Sequence, residues 1–178
     1  MKSRKSASRQ VALVLAAVLA LILAPAQATS AASPQSCVVY LEPIGPPNAA
    51  GEVPTRPIDR GCYQSIPEAL AATGAALDGS GSAPNTVVIG IEWDSIGYSG
   101  ANTTYETSSG CTSSLSWTIS YVGDFWNDRF ESGKGFSGCN RNKKFENSQF
   151  LGAVLTCTPN CSGYGVLRNE VSSLKWLH

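Results

Sequence analysis

Three textures of hydrophobic and polar positions follow one another along the chain. Val11 to Leu23 is an unbroken apolar run behind the basic residues Lys2, Arg4, Lys5 and Arg9, and Ala26-Gln27-Ala28 comes after it. A basic head, a short apolar stretch and an A-x-A triplet form the pattern of a cleaved export signal, so residues 1–28 are read as a signal peptide. The run is short of the roughly 20 apolar residues that a membrane-crossing helix needs. From Ser30 to Pro57, Ala, Pro, Gly and Ser dominate, around one strand-like run, Cys37-Val-Val-Tyr-Leu41. Ser65-Ile-Pro-Glu68 has the spacing of a capping box, with Leu70 to Ala72 continuing a helix and Gly74 or Gly79 closing it. Residues 29–85 are therefore expected to be an N-terminal arm of one strand and one helix, ending in a linker of small residues, Gly79 to Asn85.

The third texture begins at Thr86. Short β-branched and aromatic runs alternate with Gly, Asn and Ser: Thr86 to Trp93, Leu115 to Tyr121, and Gly152 to Cys157. The second run alternates polar with apolar, as a half-buried strand does. Turn signals at this spacing point to a sandwich or barrel and away from βαβ units. The fold class expected is all-β, with the one N-terminal helix.

Charge and cysteines narrow the function. Four of the 13 basic residues lie in the signal, so the mature chain has 9 basic against 13 acidic residues. A mildly acidic surface excludes the electrostatic footprint of nucleic-acid or anionic-membrane binding. The adjacent pair Lys143-Lys144 is read as part of a solvated strand. Cys37, Cys62, Cys111, Cys139, Cys157 and Cys161 all lie in the mature part, an even count that reads as three disulfides in an exported protein. Several connectivities are open; the expected one joins neighbours in order. The only histidine, His178, ends the sequence, which leaves no Ser-His or Cys-His pair and no multi-histidine metal centre. Nothing selects a carboxylate pair among Asp94, Glu106, Asp124 and Asp128 for glycoside hydrolysis. The chain is read as non-enzymatic, with no catalytic residues.

Two segments repeat with a period of 52. Trp93-Asp-Ser-Ile-Gly-Tyr98-Ser-Gly100 aligns without gaps on Phe145-Glu-Asn-Ser-Gln-Phe150-Leu-Gly152, and alanine follows both glycines. Such a segment predicts a folded hairpin whose two aromatic rings pack together, with the glycine where the chain bends sharply. Downstream, Trp126-Asn-Asp-Arg-Phe-Glu-Ser132 parallels Leu167-Arg-Asn-Glu-Val-Ser-Ser173.

The aromatic spacing ending in x-Gly, followed by the Asn/Asp-Asn/Asp-x-x-Ser/Thr-Ser element, resembles the βγ-crystallin Greek-key motif. The resemblance covers residues 86–178. It implies two Greek-key motifs packed as a βγ-crystallin-like sandwich, and two calcium sites to which each motif contributes half. The residues it points to are Asn127, Asp128, Arg129 and Glu131 in the first copy and Asn169, Glu170 and Ser172 in the second. Glu131 stands where the family has Ser or Thr, and Arg168 where it has Asn or Asp, so both sites read as weakened; calcium is the one cofactor implied.

The fold is also similar to that of small secreted bacterial metalloproteinase inhibitors, which present a rigid loop closed by a disulfide. The comparable loop here is Cys157-Thr158-Pro159-Asn160-Cys161. The resemblance thus implies a monomeric peptidase inhibitor or protein-binding module with an extracellular protease as partner. The alternative it offers is a calcium-stabilised structural domain. The arm before residue 86 lies outside the resemblance; covering a sandwich edge is one role open to it.

Overall fold

The computed structural model describes residues 35–78 and 86–178. The signal segment 1–28 and the Gly79 to Asn85 linker lie outside the described residues. Among the described residues there are nine strands and one α-helix: β1 (Ser36–Pro43), β2 (Glu52–Tyr63), α1 (Ile66–Thr73), β3 (Val87–Ser95), β4 (Ser99–Thr107), β5 (Ser116–Ile119), β6 (Ser132–Gly135), β7 (Arg141–Asn147), β8 (Leu151–Cys157) and β9 (Ser173–Leu177). They hydrogen-bond in the order β6-β3-β4-β1-β2-β5-β9-β7-β8.

Two Greek keys make up the sandwich. In the first, β3 pairs with both β4 and β6; in the second, β7 pairs with both β8 and β9. Each half sends a segment to the other. β5 leaves its own motif to pair with β9, and Cys161 returns the exchange by bridging Gly133 in β6. Neither half can complete its backbone hydrogen bonding alone.

The N-terminal segment is built into this sheet. β1 and β2 form an antiparallel hairpin, stapled by Cys37–Cys62 at directly opposed positions. The hairpin lies between β4 and β5, pairing with each in parallel. It satisfies the two edges that the Greek keys leave open, where unpaired N–H and C=O groups would otherwise invite foreign strands.

The segment has two strands where the sequence suggested one. β2 contains Pro54 and Pro57, and proline cannot donate to a ladder. Pro54 stands opposite Thr118 of β5, with its carbonyl accepting from the Ile44 amide just beyond β1 at 3.0 Å, and Pro57 stands opposite Leu41 of β1. Each lacks one N–H, and a strand amide points to one neighbour only, so each interrupts one ladder and not two.

The helix forms where its cap predicts. The Glu68 amide donates to Ser65 Oγ at 3.3 Å, and the Glu68 carboxylate accepts from the Gln64 amide at 3.0 Å. Gly74, at φ 70°, closes the helix in the left-handed conformation that glycine adopts freely. Ile66 and Leu70 of α1 pack with Val88, Ile91 and Trp93 of β3. β3 is thus buried on both faces, which is why its first five residues, Val87 to Ile91, include no polar side chain. The main core lies between the sheets, around Tyr105, Trp117, Trp126, Phe130 and Trp176. No helix among the described residues is long and apolar enough to cross a membrane.

Candidate functional site

The internal repeat is visible at the level of single hydrogen bonds. Trp93 and Tyr98 meet edge to face at 5.5 Å and 66°, and Phe145 and Phe150 at 5.5 Å and 68°. Tyr98 and Phe150 share φ 63°, and Gly100 and Gly152 have φ 82° and 77°. Such angles are strained for tyrosine and phenylalanine and need support from their surroundings. One serine per half supplies it. The Tyr98 amide donates to Ser132 Oγ, whose hydroxyl donates to the Ser95 carbonyl at 2.6 Å. In the second half the Phe150 amide donates to Ser173 Oγ, which donates to the Asn147 carbonyl at 2.7 Å. The last serine of each downstream element thus locks its own folded hairpin.

The residues singled out for metal binding lie in two turns that face each other. Asp128 and Asn169 both have φ 57°. The Asp128 amide donates to the Val171 carbonyl and the Asn169 amide to the Phe130 carbonyl, a reciprocal pair across a local twofold. This brings the candidates together in two groups. In one, the Glu131 carboxylate accepts from Asn169 Nδ2 at 2.9 Å and Arg168 Nη2 at 2.8 Å. In the other, Asp128 accepts from Asn127 Nδ2 at 2.6 Å, with Ser172 Oγ 3.5 Å away.

Arg129 turns elsewhere, pairing with Asp94 at 3.1 Å and stacking over Phe125. Glu170 is exposed. Calcium takes six to eight oxygen ligands, commonly with several carboxylates. Each group here offers one carboxylate, and in the first group a guanidinium already neutralises it. Among the described residues no cluster of three or more His, Cys, Asp or Glu side chains forms. These side chains do not fit a calcium ion well.

The loop Cys157-Thr158-Pro159-Asn160-Cys161 is fastened at several points. Its disulfide joins Cys157 to Cys161; the other two pairs are Cys37–Cys62 and Cys111–Cys139. Cys161 exchanges two backbone hydrogen bonds of 3.0 Å with Gly133, and Asn142 Nδ2 donates to the Pro159 carbonyl at 2.7 Å. Thr158 and Asn160 remain exposed. The result is a tied backbone with free side chains at its tip.

One polar cluster escaped the reading of the sequence. Lys144, expected on a solvated strand, is 1 % exposed and lies in the core against Glu92, which is 0 % exposed. Tyr164 donates its hydroxyl to the other oxygen of Glu92. Burial pushes the Glu92 carboxyl up and the Lys144 ammonium down from their ordinary values, against their mutual attraction. Gly133 has no side chain because one there would collide with Glu92 and the Tyr164 hydroxyl. A signal was available: carried one residue back, the 52-residue repeat sets Glu92 opposite Lys144. The solvated reading was wrong because β7 turns Asn142 and Lys144 inward, and polar residues in a strand need not face water.

No family model matches the chain, and no curated protein matches it. Solved βγ-crystallin domains do resemble it in fold. An archaeal one is 17% identical, with a TM-score of 0.38 over 51% of this chain and 98% of its own. One from Clostridium beijerinckii is 19% identical, with a TM-score of 0.35 over 49% and 97%. One from Flavobacterium johnsoniae is 15% identical, with a TM-score of 0.34 over 51% and 96%. These likenesses concern the trace of about half the chain, and nothing about ligands or partners follows from them. The metalloproteinase-inhibitor branch of the resemblance gains nothing from them.

Proposed function

We propose that this is an extracellular, non-catalytic binding module that acts by presenting the Cys157–Cys161 loop to a peptidase. The observation that supports it is the anchoring of that loop. A disulfide, two backbone bonds to Gly133 and the Asn142 bond to Pro159 hold its main chain, while Thr158 and Asn160 stay exposed. A loop ordered before binding loses little conformational entropy on association, and it resists the rearrangement that productive cleavage requires. A calcium-stabilised structural domain is the rival reading. The Arg168 guanidinium on Glu131 argues against it, since a fixed cation repels a divalent ion.

The test is titration of the purified mature protein against a panel of extracellular metallopeptidases. Stoichiometric slowing of at least one, lost in the Cys157→Ser/Cys161→Ser double variant, is the expected outcome. If the folded protein slows none of them and its melting temperature rises with calcium and falls with chelator, the rival reading replaces this one.

A further inference from the structure

A cleft separate from the Cys157–Cys161 loop opens where the N-terminal hairpin meets the segment after β5. It is a cavity of about 450 Å³, within the size range of small-ligand sites. The residues that line it include the disulfide-bonded Cys37 and Cys62, the aromatic residues Phe125 and Trp126, and two acidic residues, Asp59 from β2 and Asp124 from the facing segment. No lysine or arginine is among the residues that line it. The Greek keys alone would not make this cleft, since one wall is the β1–β2 hairpin.

Both carboxylates are held in place. Asp59 Oδ1 accepts from the Gly61 amide at 2.8 Å, and Asp124 Oδ1 accepts from the Tyr121 hydroxyl at 2.7 Å. That hydrogen bond to Asp124 is the main reason the Tyr121 phenol is pushed up from its ordinary value, with the Asp124 and Asp128 charges adding to it. The rings already carry one guanidinium: Arg129 lies 4.4 Å from the Phe125 centroid and 5.2 Å from that of Trp126, with its own charge answered by Asp94. Phe125 is 57% exposed, so part of its ring is open to solvent at the cleft.

We propose that this cleft binds a basic side chain of lysine or arginine type, presented by a peptide partner. The alkyl stem would lie against the rings and the disulfide, and the cationic head would sit between Asp59 and Asp124. An apolar floor alone would accept any hydrophobic group. Two carboxylates on the lining select for charge.

The experiment is an NMR titration of the disulfide-intact mature chain with acetyl-Gly-Arg-Gly-amide, its lysine counterpart and the neutral citrulline counterpart. Saturable shifts at the Trp126 indole N–H and the Phe125 amide are expected with the two basic peptides. The citrulline peptide should bind weaker by about tenfold or more, the scale of one charge-assisted contact. Added salt should weaken the basic peptides selectively. Asp59→Asn with Asp124→Asn keeps the oxygens that accept from Gly61 and Tyr121, so it should fold and lose the same factor. Phe125→Ala, at an exposed position, is a second variant expected to weaken binding without unfolding the protein. Equal binding of the citrulline and arginine peptides overturns the proposal. So does a titration in which Trp126 does not move.

Discussion

In the first half of the molecule, β4 is flanked by β1, and α1 lies over the outer face of β3. In the second half, β8 ends the sheet, and Leu151 and Val154 stand 62% and 55% exposed at that edge. The hairpins beneath these surfaces match nonetheless, in ring geometry, in positive-φ residues and in the serine that locks each one. The comparison separates two kinds of information. A few aromatic, glycine and serine positions specify the Greek-key backbone, because only they satisfy its strained turns. The remaining positions follow whatever covers them: β3, covered on both faces, reads V-V-I-G-I-E-W, and β7, with one face open, reads R-N-K-K-F-E-N.

The deepest difference between the halves is one of charge. Glu92 and Lys144 occupy equivalent positions 52 residues apart and meet in the core. A first motif facing a copy of itself would bury two carboxylates, and a second facing itself two ammonium groups. Only the mixed pair neutralises, so the buried charges match one half to the other.

Breaking that match should have the largest effect. Lys144→Met leaves Glu92 buried without its counter-charge and should cost about 3–5 kcal/mol in denaturant unfolding. Glu92→Leu combined with Lys144→Met should recover most of that loss, since an apolar pair of similar volume needs no neutralisation. If the double variant is as unstable as Lys144→Met alone, the pairing account of this cluster is wrong.

Opening the Cys37–Cys62 bridge tests whether the first half depends on its hairpin cover. The Cys37→Ser/Cys62→Ser variant should lose about 2–4 kcal/mol, by freeing the unfolded chain. Hydrogen exchange should then rise in β4 and β5, the strands that the hairpin covers, with little change in β8.

The two serine locks offer a direct test of equivalence. Ser132→Ala and Ser173→Ala each remove a hydroxyl that accepts from one amide and donates to one carbonyl, at a cost of about 1–3 kcal/mol each. Similar losses would support equivalent hairpins. A loss confined to Ser132→Ala would mean that the covered half carries the stability.

The smallest expected effect is at Glu52, which joins the N-terminal hairpin to β9 through Lys175 at 2.7 Å. Burial lifts the Glu52 carboxyl, but hydrogen bonds from Lys175 and Asn48 and the lysine charge outweigh this and hold it below 4.5. A depressed carboxyl contributes stability at pH above 4.5, and that contribution is lost as pH falls through the folded value. Lys175→Met should cost about 0.5–1 kcal/mol at neutral pH, the upper end of the range for ion pairs near the surface, and should flatten the acid side of the stability profile.

Much of the architecture was legible because it rests on local rules. The folded hairpins could be read from the aromatic and glycine spacing, and α1 from Ser65 and Glu68. β2 was not, because each of its prolines interrupts one ladder only, and which neighbour lies on that side is decided by the sheet. Arg168 could be read as a departure from the motif. That its guanidinium reaches Glu131 in the other half could not, because the two are 37 residues apart and meet only through the twofold. The aromatic cleft was invisible for the same reason, since Asp59 and Asp124 belong to segments joined only by the sheet.

The sequence by itself determined the β-class, the repeat, the helix cap and the residues that make each strained turn affordable, since all of these act within a few residues of one another. Tertiary structure alone decided that the N-terminal segment closes two sheet edges, that Lys144 is buried against Glu92, and that a cleft forms beside the Cys37–Cys62 disulfide. Those outcomes depend on which distant segments come to lie side by side, and burial is a property of that arrangement and not of the residue buried.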